Sequence, residues 1–259
     1  MRFGGTYRGS SFNELIETDH PHLSMNLRGL SEGGSELSVP HGTTVIAFKY
    51  SEGVVVAGDR LATEGHRVAS RDVQKVYPTD AHSAVAIAGA AGPAIEMARL
   101  LRIELEHYEK IEGVRLSLDG KATYLARMVR QQLQLAIQGL VVVPLFGGFE
   151  PYTSTGHVFT FDVVGGRYEE YDFGATGSGS REAKSYLRTV YQENGDKSTA
   201  VDHALQALVA AAAQDVATGG PDVRRGIYPS VVTITADGIF DLDEEEVAAS
   251  AERALEVVR

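Results

Sequence analysis

The sequence predicts an α+β protein, a four-layer αββα sandwich in which two stacked antiparallel sheets lie between helix layers. The prediction rests on how the elements alternate. From Thr43 onward, β-rich runs come in hairpin-linked groups. Amphipathic helical stretches follow each group, and the order is strands, two helices, strands, two helices, strands, helix. Strand runs followed by helix runs suggest antiparallel sheets with helices packed on their outer faces.

The first strands are "TTVIAFKY" and "GVVVAGDR", joined by Ser51-Glu52-Gly53, a hairpin signal. "DVQKVYP" and "SAVAIAGAAG" form a second pair around Pro78-Thr79-Asp80. A helix is expected over residues 92–112, where Ile95, Ala98, Leu101, Leu105 and Tyr108 make one stripe. A second is expected over residues 118–138, on Leu125, Val129, Leu133 and Ala136. Strands follow at residues 140–146, 157–164 and 168–173, then helices at 180–192 and 199–216. In the latter, Val201, Ala204, Leu205, Leu208, Val209 and Ala212 recur at helical spacing, and Gly219-Gly220 is a plausible stop. "SVVTITAD" and "GIFDLD" form the last strand pair, and residues 243–258 the last helix.

Residues 1–42 differ from all of this. They hold Gly, Ser, Asn, His and Pro with little periodicity, and "RGLSEGGSELSVPHG" is linker-like. The expected organisation is a leader, 1–42, and a folded domain, 43–259. With 259 residues, 43% of them hydrophobic, the chain can bury a core without staples. It has no cysteine, which excludes disulfides and thiolate metal sites. Its apolar runs are short and its N-terminus has no secretory pattern, so the cytoplasm is the expected location. A formal charge of −11 repels phosphate backbones and anionic lipid, so nucleic acid and membrane are not expected partners. The histidines are scattered without an H-E-x-x-H pattern, so no metal site is expected. "GATGSGSRE" lacks both phosphate-loop spacings, and its simpler reading is a turn and helix start with Ser180 as N-cap.

The chemistry concentrates at Thr43. A hairpin turning at Ser51-Glu52 sets Thr44 opposite Asp59 and Thr43 opposite Arg60. A threonine hydroxyl is a weak nucleophile until a base takes its proton. A cut between Gly42 and Thr43 would supply that base, the new α-amine, whose ordinary pKa is about 7.7–8.0. The leader would then mask the amine as an amide, and Gly42 would permit the close approach that the cut needs. The plainer reading is that Thr43-Thr44 simply starts a strand. Plainer readings also exist for Asp59-Arg60 as a surface pair, Lys75 as an edge-strand lysine, and Asp215 as a solvated carboxylate at a helix end.

"GTTVIAFKYSEGVVVAGDR", "QKVYP", "AIAGAAG", "GATGSGS" and "QDVATGG", in that order, resemble the β-subunits of the 20S proteasome, most closely the actinobacterial type. These are threonine peptidases of the N-terminal-nucleophile hydrolase superfamily, and the resemblance spans nearly all of residues 43–259. It implies that the leader is a propeptide removed by self-cleavage, with Thr43 as the nucleophile. It implies Lys75 beside the threonine hydroxyl, Asp59 holding that lysine, and Gly89 as oxyanion hole. Ser178, Asp215 and Thr218 would order the amine, although the family often has serine where Thr218 stands. The backbones of Thr63 and Ala91 would pair with an extended substrate. Ala62, Val73, Ile87, Ala91 and Ile95 would line an apolar pocket for the side chain before the cut. Many members carry a second basic residue after Arg60, where this chain has Leu61. The resemblance further implies heptameric β rings stacked between α rings, an indirect ATP-dependent unfoldase partner, unfolded protein substrates and no cofactor. The competing readings are a non-catalytic ring subunit and a simpler HslV-type peptidase. In an uncut chain the site should hold the hydroxyl near Lys75 but no free amine.

Overall fold

A computed structural model describes residues 42–64 and 67–258. The leader's first 41 residues lie outside the described part. In chain order the strands are β1 (Thr44–Tyr50), β2 (Gly53–Gly58), β3 (Ala62–Glu64), β4 (Arg67–Ser70), β5 (Val76–Asp80), β6 (Ser83–Gly89), β7 (Val142–Glu150), β8 (Thr155–Phe161), β9 (Arg167–Glu170), β10 (Phe173–Gly177), β11 (Ser230–Thr235) and β12 (Gly238–Asp241). The helices are α1 (Ala91–Glu112), α2 (Leu118–Gln131), α3 (Leu133–Ile137), α4 (Ser180–Val190), α5 (Lys197–Gln214) and α6 (Glu244–Val257).

Two five-stranded antiparallel sheets form, ordered β10-β1-β2-β11-β12 and β5-β6-β7-β8-β9, with β3-β4 as a separate ribbon. Three apolar layers follow from the strand period of two. Ile46, Phe48, Val55 and Ala57 face α4, α5 and α6 through Leu187, Leu205, Leu208 and Ala251. Their neighbours Val45, Ala47, Val54 and Val56 face the second sheet through Ala84, Ala86, Leu145 and Val158. Val85, Ile87, Phe146 and Phe159 then face α1 and α2 through Met97, Leu101, Leu125 and Val129. This is the αββα sandwich that the sequence predicts. The central strands β1, β2, β6 and β7 are buried on both faces, so runs such as "GVVVAG" show no polar alternation.

The hairpin register is as expected. Val45 pairs with Gly58, and beyond it Asp59 N–H donates to Thr44 O at 3.1 Å. Other expectations are corrected. The helix over residues 118–138 breaks at Gln132, where Leu125 and Val129 are buried but Leu133 and Ala136 only partly so. Core packing sustains a helix, and here the buried face runs out. The strand over 168–173 is two strands, β9 in one sheet and β10 in the other, with residues 171–172 crossing between them. The second hairpin turns at residues 81–82, so Pro78 lies inside edge strand β5, where a missing N–H is tolerated. Ser180 is the first helical residue of α4. Gly179 is its N-cap, with no side-chain cap bond. The β3-β4 ribbon had no sequence forecast.

Candidate active site

The topology brings four chain segments to one end of the sandwich. Thr43 precedes β1, Asp59 follows β2, Lys75 precedes β5, and Ser178 follows β10. Residues 215–219, just past α5, close the group. Thr43 is 5% exposed, Asp59 0% and Lys75 4%, so these three are nearly removed from water, whereas Ser178 is exposed and Asp215 half-buried.

Asp59 accepts four hydrogen bonds. Oδ1 takes Thr44 N–H and Lys75 Nζ, both at 2.7 Å; Oδ2 takes Leu61 N–H at 3.0 Å and Gly219 N–H at 2.8 Å. These donors offset the cost of burying the carboxylate. Lys75 Nζ also donates to Leu61 O at 2.5 Å and Gly42 O at 3.4 Å. Burial pushes the Lys75 pKa below the ordinary lysine value; Asp59, by charge and hydrogen bond, and the charge of Asp215 pull it back up. Thr43 Oγ1 donates to Gly42 O at 2.6 Å. The hydroxyl and the ammonium therefore converge on one atom, the carbonyl oxygen preceding Thr43.

On the other side of Thr43, its carbonyl accepts from Ser178 N–H at 2.9 Å and lies 3.4 Å from Ser178 Oγ. Ser178 Oγ and Thr218 Oγ1 each donate to Asp215 Oδ2 at 2.5 Å, and Ala217 N–H donates to Oδ1 at 3.2 Å. Burial would raise the Asp215 pKa, but these hydrogen bonds and the Lys75 charge hold it below the usual carboxylate value.

Glycine is required at two points. A Cβ on Gly42 would fall 2.5 Å from both Ala217 O and Thr63 Oγ1. Gly89 has φ +121°, and a Cβ there would fall 2.0 Å from Val141 O. Gly89 also lines a depression beside Thr43, with a cavity volume of about 20 Å³, room for little more than one water. Ala62, Val73, Ile87, Ala91 and Ile95 line the same depression, joined by Gln74, Tyr77 and Ala94. Thr63 is buried beside Gly42 but does not line it. A larger cavity, about 250 Å³, lies between α1 and α2 and shares no residue with this site.

Every catalytic candidate named from the sequence is thus placed in this one cluster; the plainer readings of Asp59 and Lys75 are corrected, while a strand does start at Thr44. Asp59 is not a surface residue; the surface partner of Arg60 is Asp72. Lys75 is buried rather than on an exposed edge. Asp215 does cap a helix end, but with two hydroxyls bonded to it. Sequence reasoning missed the Leu61 carbonyl, the Gly219 N–H and the Thr44 side chain. Only Thr44 carried a signal, as the second threonine of "GTT".

The layer order and strand topology define the αββα sandwich of the N-terminal-nucleophile hydrolases. The family model described as proteasome subunit matches residues 39–223. A proteasome subunit beta of Acidimicrobium ferrooxidans is 52% identical over 250 residues, covering 95% of this chain and 90% of that protein. One of Rhodococcus erythropolis is 51% identical over 259 residues, covering 96% and 87%, and one of Acidothermus cellulolyticus is 46% identical over 250 residues, covering 95% and 86%. The chain belongs to the proteasome subunit family, as a β-type subunit of the core particle. Peptide-bond hydrolysis is the activity that goes with that membership.

Proposed function

We propose that this β-subunit is a threonine endopeptidase whose nucleophile, Thr43, is released by self-cleavage between Gly42 and Thr43. The observation that carries the reading is the convergence of Thr43 Oγ1 and Lys75 Nζ on the Gly42 carbonyl oxygen. In the uncut chain the hydroxyl oxygen attacks the Gly42 carbonyl carbon while Lys75 offsets charge developing on the oxygen. The C–N bond breaks as the C–O bond forms, the hydroxyl proton ends on nitrogen, and water hydrolyses the resulting ester. The leader leaves with a carboxylate and Thr43 keeps a free α-amine.

The mature site repeats the chemistry on a substrate. The α-amine takes the hydroxyl proton, Oγ1 attacks the scissile carbonyl, and the N–H of Gly89 binds the oxyanion, a donor typically worth about 3–4 kcal/mol. The amine then protonates the leaving nitrogen, and water releases the acyl group. Lys75, held by Asp59, favours proton loss from Oγ1. Thr63 and Ala91 offer backbone to an extended chain, and the side chain before the cut packs over the shallow apolar depression. No cofactor enters any step.

The working particle would stack heptameric β rings between α rings in the cytoplasm, with an ATP-dependent unfoldase delivering unfolded chains. The non-catalytic reading fits poorly, because Thr43, Asp59 and Lys75 are all present and bonded as one group. A requirement for α-subunits during assembly separates this reading from the HslV-type alternative. Intact mass of purified particles tests the cut. Wild type is expected to begin at Thr43 and Thr43→Ala to keep its leader; a mature wild-type chain starting elsewhere contradicts the reading.

A further inference from the structure

Thr44 has no role in the chemistry above, yet its hydroxyl is wired into it. The residue is 0% exposed. Its Oγ1 accepts from Gly179 N–H at 2.9 Å and lies 2.6 Å from Thr218 Oγ1. The proton on each hydroxyl can be assigned. Thr218 spends its only hydrogen on Asp215 Oδ2, so between the two hydroxyls Thr44 must be the donor. The result is a one-way relay: Gly179 N–H to Thr44, Thr44 O–H to Thr218, Thr218 O–H to Asp215. The space around it leaves no slack. A Cβ on Gly179 would fall 2.6 Å from Thr218 Oγ1 and 2.7 Å from Thr44 Oγ1.

We propose that Thr44 is a positioning residue, whose hydroxyl fixes Thr218 and through it the Asp215 carboxylate, which is tied to Thr43 through Ser178. The proposal rests on the reading of Thr43 as an N-terminal nucleophile. Donors in series polarise one another. Each hydrogen in the relay points toward Asp215 and spreads its negative charge. Without the Thr44 hydroxyl that charge is less dispersed and grips the ammonium form of the amine more tightly. The base form then appears at higher pH.

The test is Thr44→Val, which keeps the shape of the side chain but removes the hydroxyl, beside Thr44→Ser, which keeps the hydroxyl. In assembled particles shown by mass to start at Thr43, Thr44→Val is expected to lower kcat about tenfold with KM within about twofold. The acid limb of kcat/KM should move up by about half a pH unit. Thr44→Ser should restore both. Thr218→Val interrupts the same relay one step later, so the double variant should lose little more than either single one. Wild-type kcat and limb in Thr44→Val would overturn the proposal, as would equal impairment in Thr44→Ser or additive losses in the double variant. If Thr44→Val does not mature, Thr218→Val carries the test, and an unchanged limb there has the same force. A wild-type chain that does not start at Thr43 would instead defeat the underlying reading, before any variant is compared.

Discussion

Two buried lysine–aspartate pairs flank the β5-β6 hairpin. Lys75 with Asp59 stands at its open end, and Lys121 of α2 with Asp80 at its turn. As ion pairs they are alike, each nearly removed from water. Their surroundings differ. Asp80 Oδ1 is held by Ser83 Oγ at 2.6 Å and His82 N–H at 2.9 Å, and Ser83 in turn meets Thr79. That cluster spends itself on its own turn. Lys75 instead reaches Gly42 O, the atom that the Thr43 hydroxyl also engages. Burial and pairing alone therefore do not distinguish the two lysines. The neighbouring hydroxyl and carbonyl do, and on them rests the proposed role of Lys75.

The comparison can be broken by removing one lysine at a time. Lys75→Ala is expected to reduce peptide turnover by about 10³-fold or more and to leave the leader attached, measured by fluorogenic peptide and intact mass. Its cost in stability should be the smaller of the two. Asp59 keeps three backbone N–H donors, whereas Asp80 without Lys121 keeps one hydroxyl and one N–H. Lys121→Ala should destabilise the fold by roughly 3–5 kcal/mol, the cost of stranding a buried charge. Turnover per folded particle should stay within about twofold of wild type. Thermal melts and kcat on the same preparations decide which pair is which.

A smaller effect concerns acid. Burial would raise the Asp80 pKa, but Lys121, Ser83 and His82 N–H hold it below the ordinary value. A folded pKa below the unfolded one gives stability that is fully present above about pH 4 and is lost as pH falls through the folded value. Asp80→Asn should flatten that part of the acid unfolding curve, while a curve as steep as wild type would assign the loss to other carboxylates. Smaller still, Ile95→Ala at the rim of the depression should raise KM for peptides with a large apolar residue before the cut by about fivefold, with peptides bearing alanine there nearly unaffected.

Much of this site was legible in the sequence because a hairpin is arithmetic. A turn at Ser51-Glu52 requires Asp59 to return beside Thr44, and it does. Lys75, Ser178 and Asp215 were legible only through their resemblance to a family, since no local pattern brings four distant segments to one end. What stayed hidden was mostly backbone. The Leu61 carbonyl and the Gly219 N–H carry no residue-type signal, although both bind the central ion pair. The split at residues 171–172 was hidden for another reason. Edge strands β9 and β10 follow one another with only Tyr171-Asp172 between them, and no Gly or Pro there marks where one sheet ends and the next begins.

The account depends most on the amine that self-cleavage would create, and its test is a time course on maturing particles. Peptide turnover and the fraction of chains beginning at Thr43 are followed in the same samples. The account predicts that turnover starts near zero and rises in proportion to the trimmed fraction. Full turnover from particles whose chains still carry the leader would contradict it.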